Sequence, residues 1–212
     1  MSIDIYVPQG RHKAQISEEL GIEFKKQIES IVSLCTSTDT VIKTLSDFSD
    51  DTLLEIELNE ITNTFGNDNI KDIYALTPSQ KGIFAQYYQS TDTKTYQLQS
   101  LLEIGKETNI EILEKSIEYL SLRHPILKTA FTVLKATGSI KQVILESRRP
   151  VFTVLSQNAP FSQEVLDKLV AEDTQNALDL EKDSLFKVTV VDFADKRFML
   201  IHTHHIIIDG WC

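Results

Sequence analysis

From residue 70 onward, runs with apolar side chains at every second position alternate with runs in which they recur every three or four positions. That alternation restricts the chain more than any other feature. Gln97–Ile104 sets Leu98, Leu102 and Ile104 on one side, as a strand does. Residues 127–134, Ile140–Leu145 and 151–155 read as three further strands, the first two joined by the turn Ala136-Thr137-Gly138. Residues 185–193 and 197–206 flank Ala194-Asp195-Lys196 as a closing hairpin. Helices fall singly between them. Thr77-Pro78-Ser79-Gln80 supplies an N-cap, a proline at the first helical position and the partner of a capping box, with the helix running to about Tyr88. Asn109 caps a second helix whose Ile110, Leu113, Ile117 and Leu120 form one buried stripe. Ser162 opens a third, to about Leu178. Single helices among strands that also pair as hairpins predict an α/β fold, a layered sandwich with a mixed sheet.

The first 69 residues read differently. Ile22, Phe24, Ile28, Ile31, Val32 and Cys35 have near-helical spacing, and Thr36-Ser37-Thr38-Asp39-Thr40 ends that helix. A second helix spans roughly 50–65, its leucines and isoleucines set among acidic side chains that read as a solvated face. Ile3 to Val7 reads as a short strand before the turn Pro8-Gln9-Gly10. Gly66-Asn67-Asp68-Asn69 is a turn cluster and reads as a linker. The expected division is therefore a helical leader, 1–69, and a main domain, 70–212.

Composition removes several function classes. No apolar run reaches the ~20 residues of a membrane-spanning helix, and the N-terminus lacks the pattern of a signal peptide. Lys and Arg number 21 against 31 Asp and Glu, a formal charge of −10. So acidic a chain repels phosphate backbones, and Arg148-Arg149 is too small a basic cluster to reverse that. Nucleic acid and membrane are both unexpected partners. Cys35 and Cys212 fit no metal or redox spacing and read as reduced thiols of a cytosolic protein.

Three of the five histidines fall within four residues, in His202-Thr203-His204-His205-Ile206-Ile207-Ile208-Asp209-Gly210-Trp211. On a strand, His202 and His204 would share one face and His205 the other. An imidazole titrates near neutral pH, which suits proton transfer at an amine or hydroxyl. His202 and His204 also have the spacing of strand-borne metal ligands, but no third ligand accompanies them. Asp209, just past the isoleucines, is placed to fix the local backbone through an arginine. His12 and His124 have no chemical company.

His204-His205-Ile206-Ile207-Ile208-Asp209-Gly210 resembles the HHxxxDG signature of condensation domains in non-ribosomal peptide synthetases and their chloramphenicol-acetyltransferase-like relatives. Leu76-Thr77-Pro78-Ser79-Gln80-Lys81-Gly82 is similar to the family's first motif. Arg123-His124-Pro125-Ile126-Leu127-Lys128-Thr129-Ala130-Phe131 is similar to its second. Lys128 stands where the family generally has arginine, so a two-pronged contact there is weakened. The resemblance covers about 70–212. It implies the N-terminal lobe of a two-lobed domain, a fragment expected to be inactive alone.

Residue by residue, the resemblance implies that His205 accepts the proton of an attacking amine, or positions that amine, as a peptide bond forms at a thioester. It implies a supporting structural role for His204, an ion pair between Arg123 and Asp209, and backbone room at Gly210. Trp211 would be a packing residue. No cofactor or metal would be bound directly. The substrates would ride on 4'-phosphopantetheine arms of donor and acceptor peptidyl carrier proteins, beside adenylation domains, in antibiotic biosynthesis or related secondary metabolism. Residues 22–66, with Leu45-Ser46-Asp47-Phe48, resemble the tail of an epimerization domain, which implies a D-configured donor. Two alternatives stay open: an epimerization lobe, which shares HHxxxDG, and a non-catalytic docking module for carrier proteins. Gly82 favours condensation over epimerization.

Overall fold

The computed structural model describes residues 14–37, 43–90 and 94–209. The expected strand at 3–7, and Gly210, Trp211 and Cys212, lie outside the described residues. The chain divides into two compact units, Met1–Ile42 and Lys43–Cys212. In the first, α1 (Ala14–Ser37) carries the expected helix, longer at its N-terminal end. Ile22, Phe24, Ile31 and Val32 are exposed on it, as is Cys35.

The second unit contains α2 (Glu55–Phe65), β1 (Ile70–Ala75), α3 (Pro78–Gln89), β2 (Gln97–Ile104), α4 (Ile110–Arg123), β3 (Thr129–Val133), β4 (Ile140–Leu145), β5 (Val151–Ser156), α5 (Gln163–Gln175), β6 (Phe186–Asp192) and β7 (Arg197–His204). Two sheets form. β1-β4-β3 is antiparallel throughout, whereas β2-β7-β6-β5 is mixed, with β5 parallel to β6. A parallel pair needs a crossover, and α5 supplies it. The fold is thus the expected α/β sandwich with a mixed sheet, its strands divided between two sheets.

Local chemistry explains most of the boundaries. Thr77 accepts the Gln80 N–H, and Gln80 Oε1 accepts the Thr77 N–H, closing the capping box of α3. Asn109 and Ser162 cap α4 and α5 through their side chains. Gly138, with φ 72, turns the β3–β4 hairpin in a left-handed conformation that glycine adopts without steric cost. Pro125 delays β3: residues Pro125–Lys128 form a 3-10 turn, and the strand expected from 127 begins at Thr129.

Four further expectations are corrected. Residues 43–69 pack within the main unit, where Phe48, Leu53, Leu58 and Ile61 share a core with Ile70, Ile73 and Val143. The turn cluster is no linker: Gly66 caps α2, and the Asn69 side chain and carbonyl receive the Ser147 and Glu146 N–H groups. Nor is the acidic run wholly solvated, since Asp50 and Glu57 are buried. The α4 stripe is only half-buried, with Ile117 packed against the main core.

That main core lies between the sheets and helices, where Leu76, Phe84 and Phe131 meet Val188, Ile206 and Ile207. β7 is central in its sheet, paired to β2 and β6, so its C-terminal end delivers the histidines from the interior.

Candidate active site

β7 stops at His204, two residues before the sequence pattern ends. The Ile206 N–H donates to His204 Nδ1 at 3.1 Å, and the Ile207 N–H to the His204 carbonyl at 3.1 Å. Residues 205–207 therefore form a turn, with Ile206 and Ile207 buried beneath it. His205 leaves the strand alternation and is placed by the turn instead.

The two motif histidines end up in different surroundings. His204 is fully buried, edge-on to the Tyr87 ring with centroids 5.6 Å apart. Burial, reinforced by His205 and His202, pushes its pKa down to about 4, against an opposing influence of the nearby Thr95 backbone. It is neutral at pH 7. Because its Nδ1 accepts a hydrogen bond, its proton sits on Nε2, which makes no hydrogen bond of good geometry.

His205 is half-buried, and its Nδ1 lies 2.7 Å from the Ile208 carbonyl oxygen. A carbonyl only accepts, so Nδ1 carries a proton, and in the neutral ring the lone pair is on Nε2. The backbone has thereby selected the tautomer a proton acceptor needs. The His205 N–H donates to the Tyr96 carbonyl at 2.8 Å, which ties the turn to the start of β2.

Neighbouring elements brace this turn. Gln80 Nε2, at the N-terminal end of α3, donates to the Ile206 carbonyl at 3.3 Å and approaches Gln142 Oε1 at 3.3 Å. Gln142 in turn donates to the Ala75 carbonyl. His202 diverges from His204 in its partners. Its Nε2 is 2.6 Å from Gln97 Oε1, and its Nδ1 is 2.8 Å from Asp173 Oδ2 on α5, close enough for an ion pair but poorly directed for a hydrogen bond. Burial lowers the His202 pKa, outweighing the pull of Asp173. Among the described residues no group of three or more His, Cys, Asp or Glu converges as metal ligands do.

Arg123 is exposed in the last turn of α4, and Asp209 is exposed beyond the isoleucines. Lys128 is buried and pairs with Glu146 at 3.2 Å. Tyr96, Tyr87, Gln97 and Asp173 were not singled out from sequence. Gln80 reads in sequence as a cap and as part of the first motif, and nothing local announces its second bond to a residue 126 positions away.

The condensation domain family matches residues 70–212. The chain belongs to that family. Bacitracin synthase 1 of Bacillus licheniformis is 28% identical over 208 residues, 96% of this chain and 4% of that one. Tyrocidine synthase 3 of Brevibacillus parabrevis is 32% identical over 148 residues, 68% of this chain and 2% of that one. The condensation-family chain thus spans only a few hundredths of the length of these curated relatives. Among solved structures, the starter condensation domain of rhizomide synthetase superposes with a TM-score of 0.58 at 19% identity, covering 66% of this chain and 34% of that one. The epimerization domain from the third module of tyrocidine synthetase B gives 0.56 at 24%, covering 65% and 31%. At such identities the likeness establishes the fold, which is chloramphenicol-acetyltransferase-like. No helix among the described residues is long and apolar enough to cross a membrane.

Proposed function

We propose that this chain contributes the N-terminal lobe, residues 70–212, of a condensation domain that joins carrier-bound aminoacyl or peptidyl thioesters. The acceptor amine attacks the donor thioester carbonyl, a C–N bond forms, the C–S bond breaks, and the amine proton passes by way of His205 Nε2 to the departing thiol. A thioester is already activated, so positioning and one proton acceptor are sufficient help. The observation that carries this reading is the 2.7 Å contact of His205 Nδ1 with the Ile208 carbonyl, which in the neutral ring turns the lone pair to Nε2.

His204 holds the turn. Arg123 and Asp209 form a structural ion pair. At exposed positions it is worth at most about 1 kcal/mol, and non-additive losses in a double-mutant cycle identify it. Donor and acceptor peptidyl carrier proteins deliver the substrates on 4'-phosphopantetheine, adenylation domains load them, and the lobe itself binds no cofactor. The helical segment ahead of the main unit belongs to the tail of an upstream epimerization domain, so the donor residue is D-configured. The lobe alone is inactive without the rest of its domain.

The test is dipeptidyl product formation between two loaded carrier proteins in the synthetase that carries this lobe. His205→Ala is expected to suppress condensation while carrier loading continues. Wild-type product formation in that variant overturns the reading. Loss of donor racemisation in place of condensation would assign the lobe to epimerization instead.

A further inference from the structure

Tyr96, immediately before β2, is the one non-glycine among the described residues with a positive φ, 67°. A bulky L residue rarely enters this left-handed region, and such backbone persists only where the surroundings over-determine it. Three contacts do so. The Tyr96 carbonyl accepts the His205 N–H at 2.8 Å. Its ring lies 6.1 Å from the His205 ring and 6.4 Å from the His204 ring, centroid to centroid. Its hydroxyl donates to Gln86 Oε1 on α3.

We propose that Tyr96 is a positioning residue for His205. Its left-handed backbone aims the carbonyl at the His205 N–H, and its ring forms the wall that sets the plane of the imidazole. The hydroxyl is engaged with α3, so Tyr96 acts through His205 and not on the reacting atoms. The contacts explain why a strained conformation is kept at the edge of a strand: an extended residue here would turn the same carbonyl away from the histidine turn. The proposal rests on the reading of His205 as the proton acceptor.

The test uses Tyr96→Gly, which adopts φ near 67° without strain and removes the ring, beside Tyr96→Phe, which keeps both ring and backbone. Imidazole 15N spectra of the 212-residue chain read the His205 tautomer directly. Turnover in the synthetase reads the consequence. Tyr96→Gly is expected to keep a wild-type melting temperature, blur the Nδ1–H signature of His205, and lower kcat by about tenfold or more with acceptor KM nearly unchanged. Tyr96→Phe is expected to retain the signature. A Tyr96→Gly chain with the wild-type His205 signature, whether it melts normally or early, makes Tyr96 a packing residue only and overturns the proposal. Should Tyr96→Gly not fold, Tyr96→Asn tolerates the same φ and is judged by the same spectra. If His205→Ala retains turnover, the reading of His205 falls, while the tautomer spectra still decide the role of Tyr96.

Discussion

Lys141 Nζ, on β4, lies 2.7 Å from Asp50 Oδ2 and 3.3 Å from Glu57 Oε2, and all three side chains are buried. The cluster fastens α2 and the segment before it to the three-stranded sheet. Ser139 and Thr137 also donate to Glu57, and Thr52 to Asp50. Two buried carboxylates are tolerated because the ammonium faces both.

Removing that ammonium is expected to be severe. Lys141→Ala leaves two uncompensated buried charges, and breaking such a pair costs about 3–5 kcal/mol. Urea unfolding at pH 7 measures the loss. The triple variant Lys141→Met with Asp50→Asn and Glu57→Gln removes every charge and is expected to recover part of it. A single variant as stable as wild type would show that the cluster contributes nothing to the fold.

Mild acid is expected to weaken the fold through the histidines. His204 titrates near 4 in the folded chain against an ordinary 6.5, and His202 is shifted in the same direction. Between those pH values the unfolded chain binds protons that the folded chain refuses. Stability is therefore fully present above pH 6.5 and declines as pH falls toward 4, by at most about 1.4 kcal/mol per pH unit for one histidine. Asp50 and Glu57 extend the loss to lower pH: burial raises their pKa values, but the Lys141, Thr52 and Ser139 contacts outweigh it and leave both depressed. His204→Gln, which keeps an acceptor for the Ile206 N–H, is expected to flatten the upper part of the decline. Parallel urea-midpoint profiles for the two proteins would contradict this.

The β6–β7 hairpin carries an acid-resistant clasp. Arg197 contacts Asp192 through Nε and Nη2 at 2.9 and 3.0 Å, and Lys106 reaches the same carboxylate. Hydrogen bonds from Arg197 and then Lys106 hold the Asp192 pKa at about 2. Arg197→Gln is expected to raise it toward 3.8, as a carboxyl NMR titration would read. An unmoved Asp192 would mean that Lys106 alone sets its charge.

Much of the fold was legible because it is written in short-range chemistry. The caps at Thr77, Asn109 and Ser162 need only neighbours three residues away, and β2 has the bounds its alternation predicts. The buried acids were not legible. Asp50 and Glu57 look like any solvated run until Lys141, 91 positions beyond Asp50, arrives from another element. The end of β7 failed for a different reason. No Gly or Pro interrupts residues 204–208, and the apolar pattern continues through Ile206, yet the His204 side chain and carbonyl capture the Ile206 and Ile207 N–H groups and bend the chain. The histidine motif could therefore be located in sequence, while the tautomer of His205 depended on a turn that only the folded backbone defines.

Gln80 separates capping from bracing. Its Oε1 accepts the Thr77 N–H, and its Nε2 donates toward the Ile206 carbonyl and Gln142 Oε1. Glutamate closes a capping box as well as glutamine does, so Gln80→Glu preserves the start of α3. It also replaces the donating amide with a carboxylate oxygen facing two acceptors, which repels where the amide attracted. The variant is expected to cost about 1–3 kcal/mol, to keep wild-type helix content by circular dichroism, and to perturb the His205 ring resonances. Gln80→Leu loses the side-chain half of the capping box and the donor together, leaving the Ile206 carbonyl without this donor but without repulsion. If Gln80 matters only as a cap, Leu is the more damaging change. Greater disturbance of the His205 resonances by Glu than by Leu would show that the contact with Ile206 holds the histidine turn.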